Sequence, residues 1–298
     1  NTMHAVNLQR TPYWSDYQTN EQYFGLLSFD PGQEESVCYV DGDLSEWTEE
    51  DKIFDTGEKS LSMKYDERFI YLLAYEKGFS NGEKKLYIPL DVTPNTGSTY
   101  CENYGLRFTQ PVDFVLTIDG ADNSRLEVQE RYEVLRAMFY HETHNEDAYL
   151  VPPDADTPVF KPINLMLQTA TPLLTGNWLA SSDVYETGKL AYGNADPSSP
   201  DYNSLADFIF AGDYVELKLP WQLLNFADPS RMTIHDDYYN DNYGVAYITI
   251  DALYLGLANG AEEGRISLHP AALQGWGNKV TYHERLKSSY YTMQALWR

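Results

Sequence analysis

From about residue 60 the chain alternates apolar and polar positions with a period of two, and the elements this predicts are short β-strands. Ser60 to Tyr65 (SLSMKY) and Phe69 to Tyr75 (FIYLLAY) flank Asp66-Glu67-Arg68, a hairpin connection. Lys85 to Val92 (KLYIPLDV) is a further strand, closed by Thr93-Pro94-Asn95-Thr96-Gly97. Phe114 to Ile118 and Arg125 to Tyr132 straddle the turn Asp119-Gly120-Ala121-Asp122-Asn123. Asp213 to Leu219, Val245 to Leu257 and Ser289 to Trp297 have the same character. Short strands separated by turn signals, without alternating helices, predict an all-β, antiparallel β-sandwich.

Two stretches depart from the pattern. Residues 1–36 lack the period of two, and Thr19 or Asn20 can cap a short helix that ends before Asp30-Pro31-Gly32. They read as a lead-in segment, packed through Trp14 on the main domain or forming the tail of an upstream one. The sandwich domain then runs over 37–298. Between about 131 and 207 the strand signal is broken by Pro152-Pro153, Pro158, Pro162, Pro172 and Asp196-Pro197-Ser198-Ser199-Pro200, which predicts a long loop-rich insertion over one face or end.

The domain opens with VCYVDGDLSEW, Val37 to Trp47. A β-prone run, Val37 to Val40, meets the tight polar turn Asp41-Gly42-Asp43, after which Leu44 and Trp47 fold back as apolar plugs. Trp221 and Trp297 are assigned to the core.

Composition narrows the function classes. In 298 residues there are 25 Tyr against 12 Phe and 6 Trp, and tyrosine suits both strands and half-wet contact surfaces. With 21 basic and 45 acidic residues the net charge is −24, a field that repels nucleic acid and anionic membranes. No apolar run approaches the ~20 residues of a membrane-spanning helix. Asn1 is not a translation start, so the chain is expected to be a piece of a longer precursor. Cys38 and Cys101 are either a disulfide or two buried thiols, and they form no metal motif.

VDGDLSEW, followed by the LSMKYDERFIYLLAYEKG hairpin, resembles the start of family 9 carbohydrate-binding modules and their DOMON-like relatives. KLYIPLDVTPNTG resembles the central family strand, with Asp91 and Gly97 at its end. DYVELKLPWQLLN resembles the late strand that runs into a Pro-Trp corner, here Glu216, Pro220 and Trp221. The resemblance implies a jelly-roll-like sandwich and non-catalytic binding of poly- or oligosaccharide. Its setting would be the C-terminal module of a larger extracellular or cell-surface protein, with the upstream domain of the same chain as a partner. Sugar-binding members clamp the ligand between two aromatics. Here Phe79 is the one aromatic in the loop before Lys85, and Trp276, in Gly275-Trp276-Gly277, stands where the second clamp would be.

Further candidates for the sugar site are Trp178, Tyr185 and Tyr192 in the insertion, and Arg107, whose planar fork can grip a pair of hydroxyls. For each aromatic the competing reading is packing on the core. Calcium is a candidate cofactor, with oxygen ligands on Asp41, Asp43, Asp91, Asp236-Asp237 and Asn240-Asp241-Asn242, although none has EF-hand spacing. His141 and His144 are three apart, unlike the zinc motif H-E-x-x-H, and no P-loop, G-x-S-x-G or dinucleotide fingerprint is present. Two alternatives accompany the binding module. One is an interaction sandwich packed on a neighbouring catalytic domain. The other is a jelly-roll glycoside hydrolase, whose mark would be two convergent carboxylates.

Overall fold

The computed structural model describes residues 37–94, 96–133, 153–168, 171–173, 175, 178–180, 183–237, 246–260, 264–277 and 293–296. The chain divides into two compact units, Cys38–Gly275 and a second made of Asn1–Val37 with Trp276–Arg298. The lead-in with Trp14, Leu135 to His141, His144, Asn240 to Asn242 and Trp297 lie outside the described residues.

The larger unit is a β-sandwich of antiparallel ladders. In chain order the first strands are β1 (Lys52–Asp55), β2 (Lys59–Tyr65), β3 (Phe69–Glu76), β4 (Leu86–Asp91), β5 (Ser98–Cys101), β6 (Leu106–Val112), β7 (Phe114–Ile118) and β8 (Arg125–Gln129). A single helical turn, α1 (Gly120–Asn123), joins β7 to β8. The insertion supplies β9 (Phe160–Pro162), β10 (Asn164–Gln168), β11 (Thr171–Pro172), β12 (Trp178–Ala180) and β13 (Asp183–Glu186). The remainder are β14 (Phe208–Ala211), β15 (Tyr214–Pro220), β16 (Phe226–Asp228), β17 (Thr233–His235), β18 (Tyr247–Thr249), β19 (Ala252–Leu255) and β20 (His269–Ala272).

One layer is a five-stranded sheet, β1-β2-β3-β15-β14; the other is six-stranded, β20-β19-β4-β7-β8-β9. In the first, the registers Leu61↔Ala74↔Val215 and Met63↔Leu72↔Leu217 put apolar residues on one face. In the second, Ile88↔Leu116↔Leu126 and Leu90↔Phe114↔Val128 do the same. These rows are almost wholly buried and make the core between the sheets. The layers are tied at one margin by Asn259 Nδ2 donating to Glu76 Oε1 at 2.6 Å and by Phe54 stacked on His269, centroids 4.5 Å apart.

Both outer faces are also covered. The β5–β6 hairpin lies on the six-stranded sheet, where Cys101, Leu106, Phe108 and Val112 cluster with Tyr87, Val115 and Phe160. On the five-stranded sheet, Cys38 and Val40 pack with Tyr71, Ala195 and Ala206, flanked by Trp47, Phe69 and Ile209. The β-prone run Val37 to Val40 therefore joins no ladder and acts as a strap. The insertion is divided in role, since β9 extends the six-stranded sheet while β10 to β13 pair among themselves as a separate ribbon.

Two expected strands differ. Val245 to Leu257 splits at Ile250-Asp251 into β18, in a small sheet with β16 and β17, and β19, in the six-stranded sheet. Ile250 is buried and its N–H donates to Met232 O at 2.9 Å, which turns the chain from one sheet to the other. Within Ser289 to Trp297, residues 293–296 are a helical turn, and their sequence Met-Gln-Ala-Leu consists of strong helix formers.

Candidate functional site

The opening strap is fastened by one carboxylate. Glu216, central in β15, points out of the core and is fully buried beneath Val40 to Trp47. It accepts hydrogen bonds from Trp47 Nε1 (2.7 Å), Gly42 N (3.0 Å), Asp41 N (3.1 Å) and the Cys38 thiol (3.2 Å). Gly42 has φ +85°, a left-handed conformation that glycine adopts without strain and that brings two successive N–H groups onto one oxygen. Burial raises the Glu216 carboxyl above its ordinary value, and the four donors oppose that shift by favouring the anion. Burial beside this carboxylate likewise pushes the Cys38 thiol far up.

Cys38, Glu46 and Glu216 offer ligand atoms within 4.8 Å of one another. Each already serves the strap, since Glu46 Oε2 accepts from Tyr39 N at 2.9 Å, so the trio reads as a fastening rather than a metal centre. The described acids among those singled out for calcium are engaged within the fold. Asp41 and Asp43 accept the N–H groups of Asp43 and Ser45 within their turn. Asp91 accepts from Gln110 Nε2 at 2.5 Å, and Asp237 is paired with Arg131. Cys38 and Cys101 are not joined in a disulfide and lie in different clusters.

A second buried acid, Asp113, sits between β6 and β7 with no solvent exposure. Its Oδ2 accepts the N–H groups of Val92 (2.8 Å) and Thr93 (2.7 Å), while Oδ1 has no hydrogen-bond partner. Complete burial holds this carboxyl well above the usual range despite the two amide donors. Burial also pushes the neighbouring Asp91 up to about 6.

Among the described residues a concavity, largely open to solvent, lies where the insertion rejoins the sandwich. Its volume is about 460 Å³ and it is lined by Asp122, Tyr185, Glu186, Lys189, Leu190 and Tyr192, with Ala121 and Ala191 between them. Ala121 and Asp122 come from α1, Tyr185 and Glu186 from β13, and the others from the segment that follows β13. That segment is stitched along β8, Leu126 N donating to Gly188 O at 2.8 Å and Leu190 N to Ser124 O at 2.9 Å. The approach is so close that a Cβ on Gly188 would lie 2.3 Å from Leu126 O. The pairing places Lys189 opposite Arg125, whose Nε is 3.4 Å from Glu186 Oε1.

Tyr192 is held from behind. Its ring is edge-on to Phe208 and tilted by 39° on Phe210, with centroids 5.4 and 5.2 Å away, yet it remains 41% exposed. An aromatic braced on one side and open on the other can stack on an apolar ring face, while the surrounding Asp, Glu and Lys can bond hydroxyls.

The structure brings together Tyr185 and Tyr192 among the residues expected from sequence. Phe79 is a correction, because its ring is enclosed, 0% exposed, with the Phe210 ring edge-on 5.5 Å away, and offers no free face to a ligand. Arg107 is exposed, its guanidinium 4.8 Å from the Tyr100 ring centroid, so it extends the β5–β6 hairpin surface rather than the pocket. Trp178 lies in β12 by its backbone, and Trp276 belongs to the smaller unit. Sequence reasoning passed over Asp122, Glu186 and Lys189. The turn containing Asp122 was visible as a turn, but nothing local shows that it faces the segment after β13. In comparisons with known proteins, no family model, no curated protein and no solved structure matches the chain.

Proposed function

We propose that this protein is a non-catalytic carbohydrate-binding module of a larger secreted or cell-surface protein acting on polysaccharide. The observation that carries the reading is the convergence of Tyr185 and Tyr192 on one pocket edged by Asp122, Glu186 and Lys189. Two aromatic side chains with carboxylate and ammonium groups around them suit a polyhydroxylated ligand with apolar ring faces. None of the acids that burial raises (Asp41, Asp91, Asp113, Glu127 and Glu216) is a lining residue, and Glu127, which interacts with the lining acid Glu186, accepts the Tyr104 hydroxyl; this favours binding over general acid catalysis here.

The test is a titration of the protein with soluble oligosaccharides, each mixture also being checked for cleavage products. Saturable binding without cleavage is expected, and Tyr185→Ala is expected to weaken it by about threefold to tenfold. Cleavage of the ligand would move the assignment to a glycoside hydrolase. The enclosure of Phe79, which removes half of the expected clamp, favours the second reading of an interaction domain. Failure to bind any sugar in a broad panel would make that second reading the better one.

A further inference from the structure

Resting on the carbohydrate reading of the pocket, we propose that it selects uncharged glycans and rejects those bearing uronate or sulfate groups. The lining holds two carboxylates, Asp122 and Glu186, against a single ammonium, Lys189. A further cation, Arg125, lies 3.4 Å from Glu186 and compensates that carboxylate, which leaves Asp122 as the uncompensated acid of the lining. An anionic sugar would therefore find Lys189 as the one available cation of the lining, with the Asp122 carboxylate in the same lining. Around this lies a chain of net charge −24, whose field reaches roughly 30 Å at ~10 mM salt and roughly 8 Å at ~150 mM.

A neutral diol meets the opposite situation. Lys189 can donate to a hydroxyl oxygen, and Asp122 can accept a hydroxyl proton, both as charge-assisted bonds. Among the described residues Lys189 makes no ion pair that such a bond would have to break. The exposed side of Tyr192, braced by Phe208 and Phe210, supplies the surface for the sugar ring. Selection thus comes from repulsion of the wrong ligand as much as from attraction of the right one.

The experiment is calorimetric titration of the protein with neutral gluco-, xylo-, manno- and galacto-oligosaccharides, and with oligogalacturonate and a sulfated oligosaccharide. Each runs at about 10 mM and about 150 mM salt, so that the screening length changes severalfold. At low salt, neutral ligand is expected to bind at least about tenfold more tightly than either anionic one, and the gap should narrow at high salt. Asp122→Asn should narrow it too, by weakening neutral binding and easing anionic binding. Because Tyr192→Ala also removes packing against Phe208 and Phe210, it is paired with Tyr185→Ala, and both are melted thermally to show that the fold persists.

Anionic glycans binding as tightly as neutral ones at low salt would overturn the selectivity and leave the carbohydrate reading standing. Neutral binding that survives both folded tyrosine variants would overturn the assignment to this pocket. If no glycan of either class binds, the carbohydrate reading itself fails and takes this inference with it.

Discussion

Removing the Glu216 carboxylate strands the N–H groups of Asp41, Gly42 and Trp47 at once and takes one acceptor from the Cys38 thiol. At roughly 1–3 kcal/mol for each buried donor left unsatisfied, with partial relaxation, Glu216→Ala is expected to cost about 3–5 kcal/mol. Trp47→Phe, which removes one of these bonds and keeps most of the ring, should cost about 1 kcal/mol. Equilibrium unfolding in urea measures both. Asp113 has the opposite sign. The unfolded chain releases this proton near its ordinary value of 3.8, whereas the native carboxyl holds it to a higher pH. The native state therefore loses stability relative to the unfolded chain as pH rises from that value through the raised one. Asp113→Asn keeps an acceptor for Val92 and Thr93 and puts a donor in place of the unpartnered oxygen. Urea midpoints of the variant and wild type should agree near pH 3.5, and the variant should be the more stable at pH 8.

At the scale of elements, the pocket depends on a short segment lying hard against β8. Gly188→Ala would drive a methyl group into Leu126 O, and overpacking of this kind costs about 1–3 kcal/mol. The same substitution should impair ligand binding beyond what the lost stability explains, because it displaces Lys189 and Leu190 from the wall they form. Titration and melting of the one variant separate the two effects. The elements legible in the sequence were those with a clear strand signal on both sides of a short turn, such as the β2–β3 hairpin, where SLSMKY alternates and FIYLLAY is a β-prone apolar run buried on both faces. The β5–β6 hairpin escaped notice because the alternation of Leu106 to Thr109 is broken by Gln110-Pro111 and its partner Ser98–Cys101 is very short. Val37 to Val40 has strand composition but is a strap, since its apolar residues find Tyr71 and Ala206 instead of a ladder. Tyr185 and Tyr192 could be picked out as aromatics of the insertion. Their pocket could not, because it forms through the long-range contact of the segment after β13 with β8, which neither stretch signals by itself.

For the whole molecule, the excess of 45 acidic over 21 basic residues is a self-repulsion that folding concentrates. Simple salt should therefore raise the melting temperature between about 10 mM and about 150 mM, the range in which the screening length falls from ~30 Å to ~8 Å. A calorimetric scan in sodium chloride checks this, and a melting temperature independent of salt would show that the charges are already neutralised locally. The stretches on which the expected likeness to family 9 modules rests have structural duties in this fold. Glu216 fastens the strap, Val92 and Thr93 after β4 give their N–H groups to Asp113, and Trp221 is buried with its indole N–H on Asp66 O at 2.9 Å. What they specify is scaffold. The face that we propose for ligand binding lies elsewhere, beside the insertion.

The two free thiols also make the protein its own stopwatch. Cys38, carried by the strap, and Cys101, carried by the β5–β6 hairpin, are buried against the two sheets, and a thiol reagent reaches neither until its layer lifts. Labelling each in turn, with the other changed to serine, would time the opening of the two outer layers separately. Glu216→Gln should quicken the reaction at Cys38 and leave the pace at Cys101 unaltered, so that the two covers could be seen to move independently while the core between the sheets stays shut.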